Sequence, residues 1–147
     1  MTAYRPIAWL DPFDLCASLP RRMGLFKGES GQRHVNLPRF ADKLAKWPEM
    51  HAMRERLELL GEVERLTLLM LDPGTIMPWA TLPAPQARLL MMLRTNPAFA
   101  MYAPGEVISP PIGQLLLCNT ALPHSAMNLG EIPTIALLID AKPRGKE

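Results

Sequence analysis

The last third of the chain reads Ala121-Leu122-Pro123-His124-Ser125-Ala126-Met127-Asn128, and this segment lies between two apolar runs, residues 114–120 and 134–141. Both runs have the length and composition of β-strands. A histidine on a short turn between two strands of a barrel is a common place for an enzyme to hold a metal. His124 is therefore the first candidate metal ligand.

Short apolar runs occur throughout the second half of the chain, separated by turns rich in Pro, Gly and Asn. They cover residues 66–71, 87–93, 98–103, 106–108, 114–118 and 134–140. Only four acidic or basic side chains occur between residues 66 and 130, so both faces of several strands are expected to be covered. This pattern predicts a small β-sandwich or barrel.

Residues 1–61 are predicted to form a helical layer against a β-core made by residues 62–147, within one domain. Asp11 and Pro12 open a first short helix, as N-cap and first helical residue. Residues 20–35 are interpreted as loop. A second helix is predicted from Asn36 to about residue 47. A third begins at Pro48, where Met50, Met53, Leu57 and Leu60 recur at helical spacing.

The bulk composition excludes several classes of function. The 147 residues carry a formal net charge of +2 and no basic run, which argues against nucleic acid as a partner. No segment is apolar for long enough to cross a membrane, and no signal peptide is visible. Cys16 and Cys118 both lie in apolar surroundings and are interpreted as free, buried thiols. We therefore expect a cytoplasmic protein.

Three pieces of this sequence, in order, resemble the aspartyl/asparaginyl β-hydroxylase family and the related proline cis-hydroxylases. The first is Leu71-Asp72-Pro73-Gly74-Thr75-Ile76-Met77-Pro78, and the second is Ala87-Arg88-Leu89-Leu90-Met91-Met92-Leu93. The third is Leu122-Pro123-His124-Ser125-Ala126, followed by Ala136-Leu137-Leu138-Ile139-Asp140. The resemblance covers residues 62–142. It implies a double-stranded β-helix (a cupin-like jelly roll) that holds Fe(II) and 2-oxoglutarate.

The resemblance also shows where this chain departs from the family. His124 matches the distal metal-binding histidine. The proximal histidine is replaced by Trp79, and an aspartate that some members have two residues later is replaced by Thr81. Thr134 stands where an arginine normally grips 2-oxoglutarate, and Met92 where a histidine is often found. Because indole and hydroxyl groups are poor iron ligands, only one of the needed metal ligands remains.

The remaining site candidates each have two interpretations. His124 is either a metal ligand or a turn histidine whose ring bonds backbone carbonyls, and His34 and His51 are either replacement ligands or solvated. Trp79 either fills the space of a lost metal or forms a wall for a ligand. Arg88 either pairs with a local acid or anchors a carboxylate ligand.

These observations favour a non-catalytic binding or regulatory protein with a pocket near Trp79, Thr81, Arg88, Met92 and Thr134. No cofactor is expected in that case. One alternative is a working hydroxylase that uses Fe(II) and 2-oxoglutarate with an unusual ligand set around His124. Another is a module that builds a homo-oligomer through its charge-poor surface. The expected partner is an unidentified protein or a small carboxylate, and neither nucleic acid nor a membrane.

Overall fold

Strands dominate the computed structural model, which describes residues 3–29, 31–38, 45–77 and 87–142. The helical elements of these ranges are α1 (Phe13–Ser18), a 3-10 helix (Leu19–Leu25) and α2 (Pro48–Leu57). The strands are β1 (Tyr4–Trp9), β2 (Gln32–Pro38), β3 (Glu62–Leu71), β4 (Thr75–Ile76), β5 (Ala87–Arg94), β6 (Phe99–Ala103), β7 (Glu106–Ile108), β8 (Gln114–Cys118), β9 (Ser125–Asn128) and β10 (Thr134–Lys142).

The strands form two antiparallel sheets. The larger sheet has the order β1-β8-β5-β10-β3-β2, and the smaller sheet has the order β4-β9-β6-β7. The inner face of the larger sheet packs against β6 and β9 of the smaller one, so the two sheets enclose one interior. This is the arrangement of a double-stranded β-helix.

The outer face of the larger sheet forms the main hydrophobic core. Trp47, which directly precedes α2, is fully buried there, and its indole donates to the Ser18 hydroxyl at 2.9 Å. Helix α2 adds Met50, Met53 and Leu57 to the same core. Burial of a large aromatic side chain and several Met and Leu side chains is a strong favourable contribution to folding. The helices therefore close this face of the sheet.

The strands predicted in the second half of the chain are confirmed. Residues 66–71, 87–93, 114–118 and 134–139 all lie in the larger sheet, as parts of β3, β5, β8 and β10. One of the predicted Pro- and Gly-rich turns, at residues 72–74 after the run 66–71, is confirmed too. Thr75 N–H donates to the Asp72 carbonyl at 3.2 Å, and Gly74 adopts a φ of 82°, which the third position of a type II turn requires.

Three predictions for local structure were wrong. Asn36 does not begin a helix, because residues 32–38 form β2 at one edge of the larger sheet. Residues 39–44 of this predicted helix lie outside the described residues. Residues 20–35, interpreted as loop, contain most of the 3-10 helix and the start of β2. The segment around His124 is not only a turn, since Ser125–Asn128 forms β9. The N-terminal layer thus contributes two strands, β1 and β2, as well as helices.

The third predicted helix is confirmed over Pro48–Leu57, and Leu60, the last residue of its predicted apolar pattern, lies beyond its end. Helix α1 begins one residue after the predicted position. The Asp11 carboxylate accepts a hydrogen bond from Phe13 N–H at 2.9 Å, so it still bonds a free donor at the helix start. Within the ranges described above, no helix is long and apolar enough to cross a membrane.

Candidate functional site

A cavity of about 120 Å³ lies between the two sheets, and we call it the barrel cavity. An engineered cavity of roughly 150 Å³ binds benzene, so this space suits a small molecule. Most of its wall is apolar and comes from both sheets, including Leu69, Leu90, Ala136, Phe99 and Met101. Four of the residues predicted for the pocket or the metal site also line it: Arg88, Met92, His124 and Thr134.

One row of cross-strand neighbours places polar side chains at one end of the inner face. The register pairs Tyr4 with Cys118, Cys118 with Arg88, Arg88 with Asp140, and Asp140 with Arg65. The next row on the same face is Leu116, Leu90, Leu138 and Thr67. Because side chains alternate between faces along a strand, this polar row belongs to the same interior as Met92 and Ala136.

Arg88 is held by an ion pair with its cross-strand neighbour Asp140. The Arg88 Nε donates to one Asp140 carboxylate oxygen at 2.9 Å, and Nη2 donates to the other at 3.2 Å. Both side chains are about three-quarters buried, with exposures of 27% and 24%. Bidentate geometry and partial burial make this a stronger interaction than an ordinary surface ion pair. The guanidinium that borders the cavity is therefore already neutralised by a carboxylate.

The Thr134 hydroxyl adds a neutral polar group to the cavity wall. Thr134 is only 2% exposed and lines the barrel cavity. Thr134 lies six residues before Asp140 on β10, at the opposite end of that strand. The Thr134 hydroxyl can donate or accept a neutral hydrogen bond.

His124 makes one of the hydrogen bonds that its turn interpretation predicts. Its Nδ1 lies 3.0 Å from the Leu122 carbonyl oxygen. Since a carbonyl oxygen only accepts, Nδ1 donates in this hydrogen bond. The next residue, Ser125, donates its hydroxyl proton to the Met77 carbonyl at 2.5 Å and so ties the start of β9 to the chain that follows β4. His124 is thus an imidazole whose orientation on the cavity wall is fixed by a backbone hydrogen bond.

Two further ionisable groups on the cavity wall stay protonated at neutral pH. Burial raises the pKa of the Cys118 thiol to about 12, and the nearby Arg88 guanidinium opposes this only in part. Burial also raises the pKa of the Tyr4 phenol, with smaller contributions from Cys118 and Glu106. The Tyr4 hydroxyl donates to the Tyr102 carbonyl at 3.1 Å. Neither group is prepared to act as a nucleophile or an anionic ligand.

The donor set does not fit the iron centre that the resemblance implies. Such a centre needs two histidines and a carboxylate around one metal. The described cavity wall has one histidine and no Asp or Glu. Nowhere in the described ranges do three or more His, Cys, Asp or Glu side chains come together in a way that could hold a metal ion. Residues 78–86 contain none of these four residue types.

His34 and His51, the other site candidates among the described residues, do not line the barrel cavity. His34 lies half-buried on the edge strand β2, and His51 is on α2 with its ring 3.5 Å from the Glu55 carboxylate. Trp79 and Thr81 lie outside the described residues, so their predicted place in the pocket stays a prediction.

Solved structures with the same fold include Fe(II) oxygenases and cupins. HygX from Streptomyces hygroscopicus, solved with nickel and 2-oxoglutarate, matches with a TM-score of 0.68 and 13% identity over 97% of this chain and 84% of that one. A prolyl-4-hydroxylase from Pseudomonas putida matches with a TM-score of 0.61 and 18% identity, over 97% and 94%.

A cupin domain of a transcriptional regulator from Enterobacter cloacae matches with a TM-score of 0.50 and 16% identity, over 76% and 98%. No family model and no curated protein sequence matches this chain. At these identities the likeness shows the fold, and the predicted double-stranded β-helix is confirmed.

The sequence interpretation missed two residues that shape the site. Tyr4 reaches the cavity through β1, a strand that was not predicted, and the alternating pattern of residues 4–9 is too weak to reveal it. Asp140 served as a landmark of the family resemblance, but its role as the partner of Arg88 was not assigned. Arg88 and Asp140 are 52 positions apart in the chain, and only the register of β5 on β10 brings them together.

Proposed function

We propose that this protein is a non-catalytic relative of the aspartyl/asparaginyl β-hydroxylases that binds a small molecule in the barrel cavity. The observation that carries this proposal is the combination of residues around that space. Arg88, Met92, His124 and Thr134 line one cavity, as the family resemblance predicts for a ligand site. The same wall has a single imidazole and, among its described residues, no carboxylate to complete an iron centre.

Among its described residues, the cavity wall also lacks an unpaired cationic group that would bind 2-oxoglutarate, the cosubstrate that the family resemblance implies. 2-Oxoglutarate carries two carboxylates, and Thr134 offers one neutral hydroxyl where the family has a guanidinium. A hydroxyl makes a single neutral hydrogen bond, which is weaker than the bidentate, charge-assisted pair that arginine makes. The other candidate cation, Arg88, already pairs with Asp140. A pocket with an apolar wall and a few neutral polar groups is instead typical of small-molecule binding.

A ligand titration of the purified protein tests this proposal. We expect butyramide, a small uncharged molecule, to shift the NMR signals of residues around Met92, Met101 and Ala136. Mn(II) with 2-oxoglutarate, used as an oxygen-stable substitute for the iron centre, should leave the melting temperature unchanged. A ligand at a hundred times its dissociation constant stabilises a fold by about 2.7 kcal/mol, which a melting curve resolves.

The alternative hypothesis, a working oxygenase, makes the opposite prediction. It requires a rise in melting temperature with Mn(II) and 2-oxoglutarate that disappears in the His124→Ala variant. His124→Gln is the matched control, because glutamine keeps a polar side chain on the turn without the imidazole. A His124-dependent shift would contradict the non-catalytic proposal.

A further inference from the structure

The ion pair between Arg88 and Asp140 has a consequence for which ligands the barrel cavity accepts. Arg88 is part of the cavity wall, and Asp140, on the neighbouring strand β10, binds its guanidinium. The pair uses Nε and Nη2, one of the two donor forks with which a guanidinium can bind a carboxylate. A carboxylate of the protein thus occupies one fork of Arg88 and compensates the positive charge that would attract a ligand carboxylate.

We propose that Asp140 is a specificity-determining residue, which neutralises Arg88 and makes the barrel cavity select uncharged ligands over carboxylates. This inference rests on the proposed function, since it concerns the ligand class of the same cavity. An anionic ligand beside Arg88 would meet the negative charge of Asp140 at close range, in surroundings where charges are only partly screened. An uncharged ligand beside Arg88 avoids this repulsion.

The charged groups around the pair are consistent with this role. Arg65 is the other cross-strand neighbour of Asp140, but it is exposed to solvent and does not line the cavity. Cys118, on the other side of Arg88, is a neutral thiol. Glu106 accepts a hydrogen bond from the Ala3 N–H at 2.5 Å and does not line the cavity. Arg88 is therefore the one cation among the described residues of the cavity wall, and the Asp140 carboxylate compensates its positive charge.

Two probes of nearly equal shape separate charge from size. Butyramide and butyrate share the same carbon skeleton, and they differ in an amide against a carboxylate. We expect the wild-type protein to bind butyramide with a dissociation constant at least about tenfold lower than that for butyrate. The measurement is an NMR titration of the wild-type protein with each probe.

Substitution of Asp140 should change this preference. In Asp140→Asn, an isosteric change, we expect the affinity for butyrate to rise by about tenfold or more, while that for butyramide changes by less than about threefold. The gain should be lost in the double variant Asp140→Asn with Arg88→Gln. Arg65→Gln is the matched control, because it removes a neighbouring charge outside the cavity, and its preference should equal that of the wild type.

The possible results test the role of Asp140 and the proposed binding function separately. A wild-type protein that binds butyrate as tightly as butyramide overturns the role of Asp140, and this result needs no variant. The same conclusion follows if Asp140→Asn binds butyramide normally without any gain for butyrate. If the wild-type protein binds neither probe, the proposed binding function itself fails.

Discussion

The outer and inner faces of the six-stranded sheet are built from alternating residues of the same strands, yet they are packed differently. On β5, Met91 belongs to the outer core sealed by Trp47 and the helices, whereas Met92 borders the barrel cavity. Both side chains are fully buried. The difference teaches that burial alone does not distinguish a stabilising position from a ligand-binding one. What differs is whether the opposing layer fills the space.

The comparison predicts that the largest loss of stability comes from the outer face. Trp47→Ala should lower the free energy of unfolding by about 3–5 kcal/mol, because it removes a fully buried aromatic side chain and the hydrogen bond to Ser18. Urea denaturation followed by circular dichroism measures this. Trp9→Ala is the control, since Trp9 is 64% exposed and its loss should change stability by less than about 0.5 kcal/mol.

Neighbouring methionines on β5 give the most direct test of the two faces. Met91→Ala should lower the free energy of unfolding by about 2–5 kcal/mol, the usual range for truncation of a side chain in a close-packed core. Met92→Ala should cost clearly less, because it enlarges a cavity that exists already and that a ligand or water can enter. Urea denaturation of both variants under the same conditions measures the two losses in the free energy of unfolding. Equal losses would show that the inner face is packed as tightly as the outer one.

Filling the cavity should have a smaller effect of opposite sign. Ala136 lies on the inner face of β10 and borders the cavity, so Ala136→Val should raise the free energy of unfolding by about 0.5–2 kcal/mol. The added methyl groups should also weaken butyramide binding, measured by the same NMR titration. A destabilised Ala136→Val variant would mean that the inner face has no room to fill.

The smallest expected effect concerns the turn that leads from the larger sheet to the smaller one. A hydrogen bond from Arg33 to Asp72, at 2.7 Å, is the main cause that holds the Asp72 pKa below its ordinary value of 3.8. A lowered folded-state pKa contributes stability above the unfolded value, and this contribution is lost as the pH falls through the folded value.

Asp72→Asn should therefore cost up to about 1 kcal/mol at neutral pH, in the range of a partly exposed ion pair. The difference from the wild type should vanish in strong acid, where the wild-type carboxyl is protonated as well. Urea denaturation at a series of pH values measures both. A difference that is independent of pH would assign the effect to the turn geometry and not to the charge.

Much of the fold follows from the sequence, because covered strands leave a clear pattern. β3, β5, β8 and β10 are covered on both faces, so they appear as continuous apolar runs that were predicted correctly. The edge strands β1 and β2 were missed. Each contains a proline, Pro6 or Pro38, and proline is tolerated at a sheet edge although it weakens the sequence pattern of a strand.

The sequence by itself determined which residue types are available to the site: one imidazole at position 124, a hydroxyl at 134, and no acidic residue from position 78 to position 86. Only the tertiary structure decided that Arg88 is neutralised by Asp140 and that the inner face encloses a cavity. Side-chain chemistry is local and can be deduced from one position. Pairing across strands and the space between two sheets depend on register and packing between residues far apart in the chain.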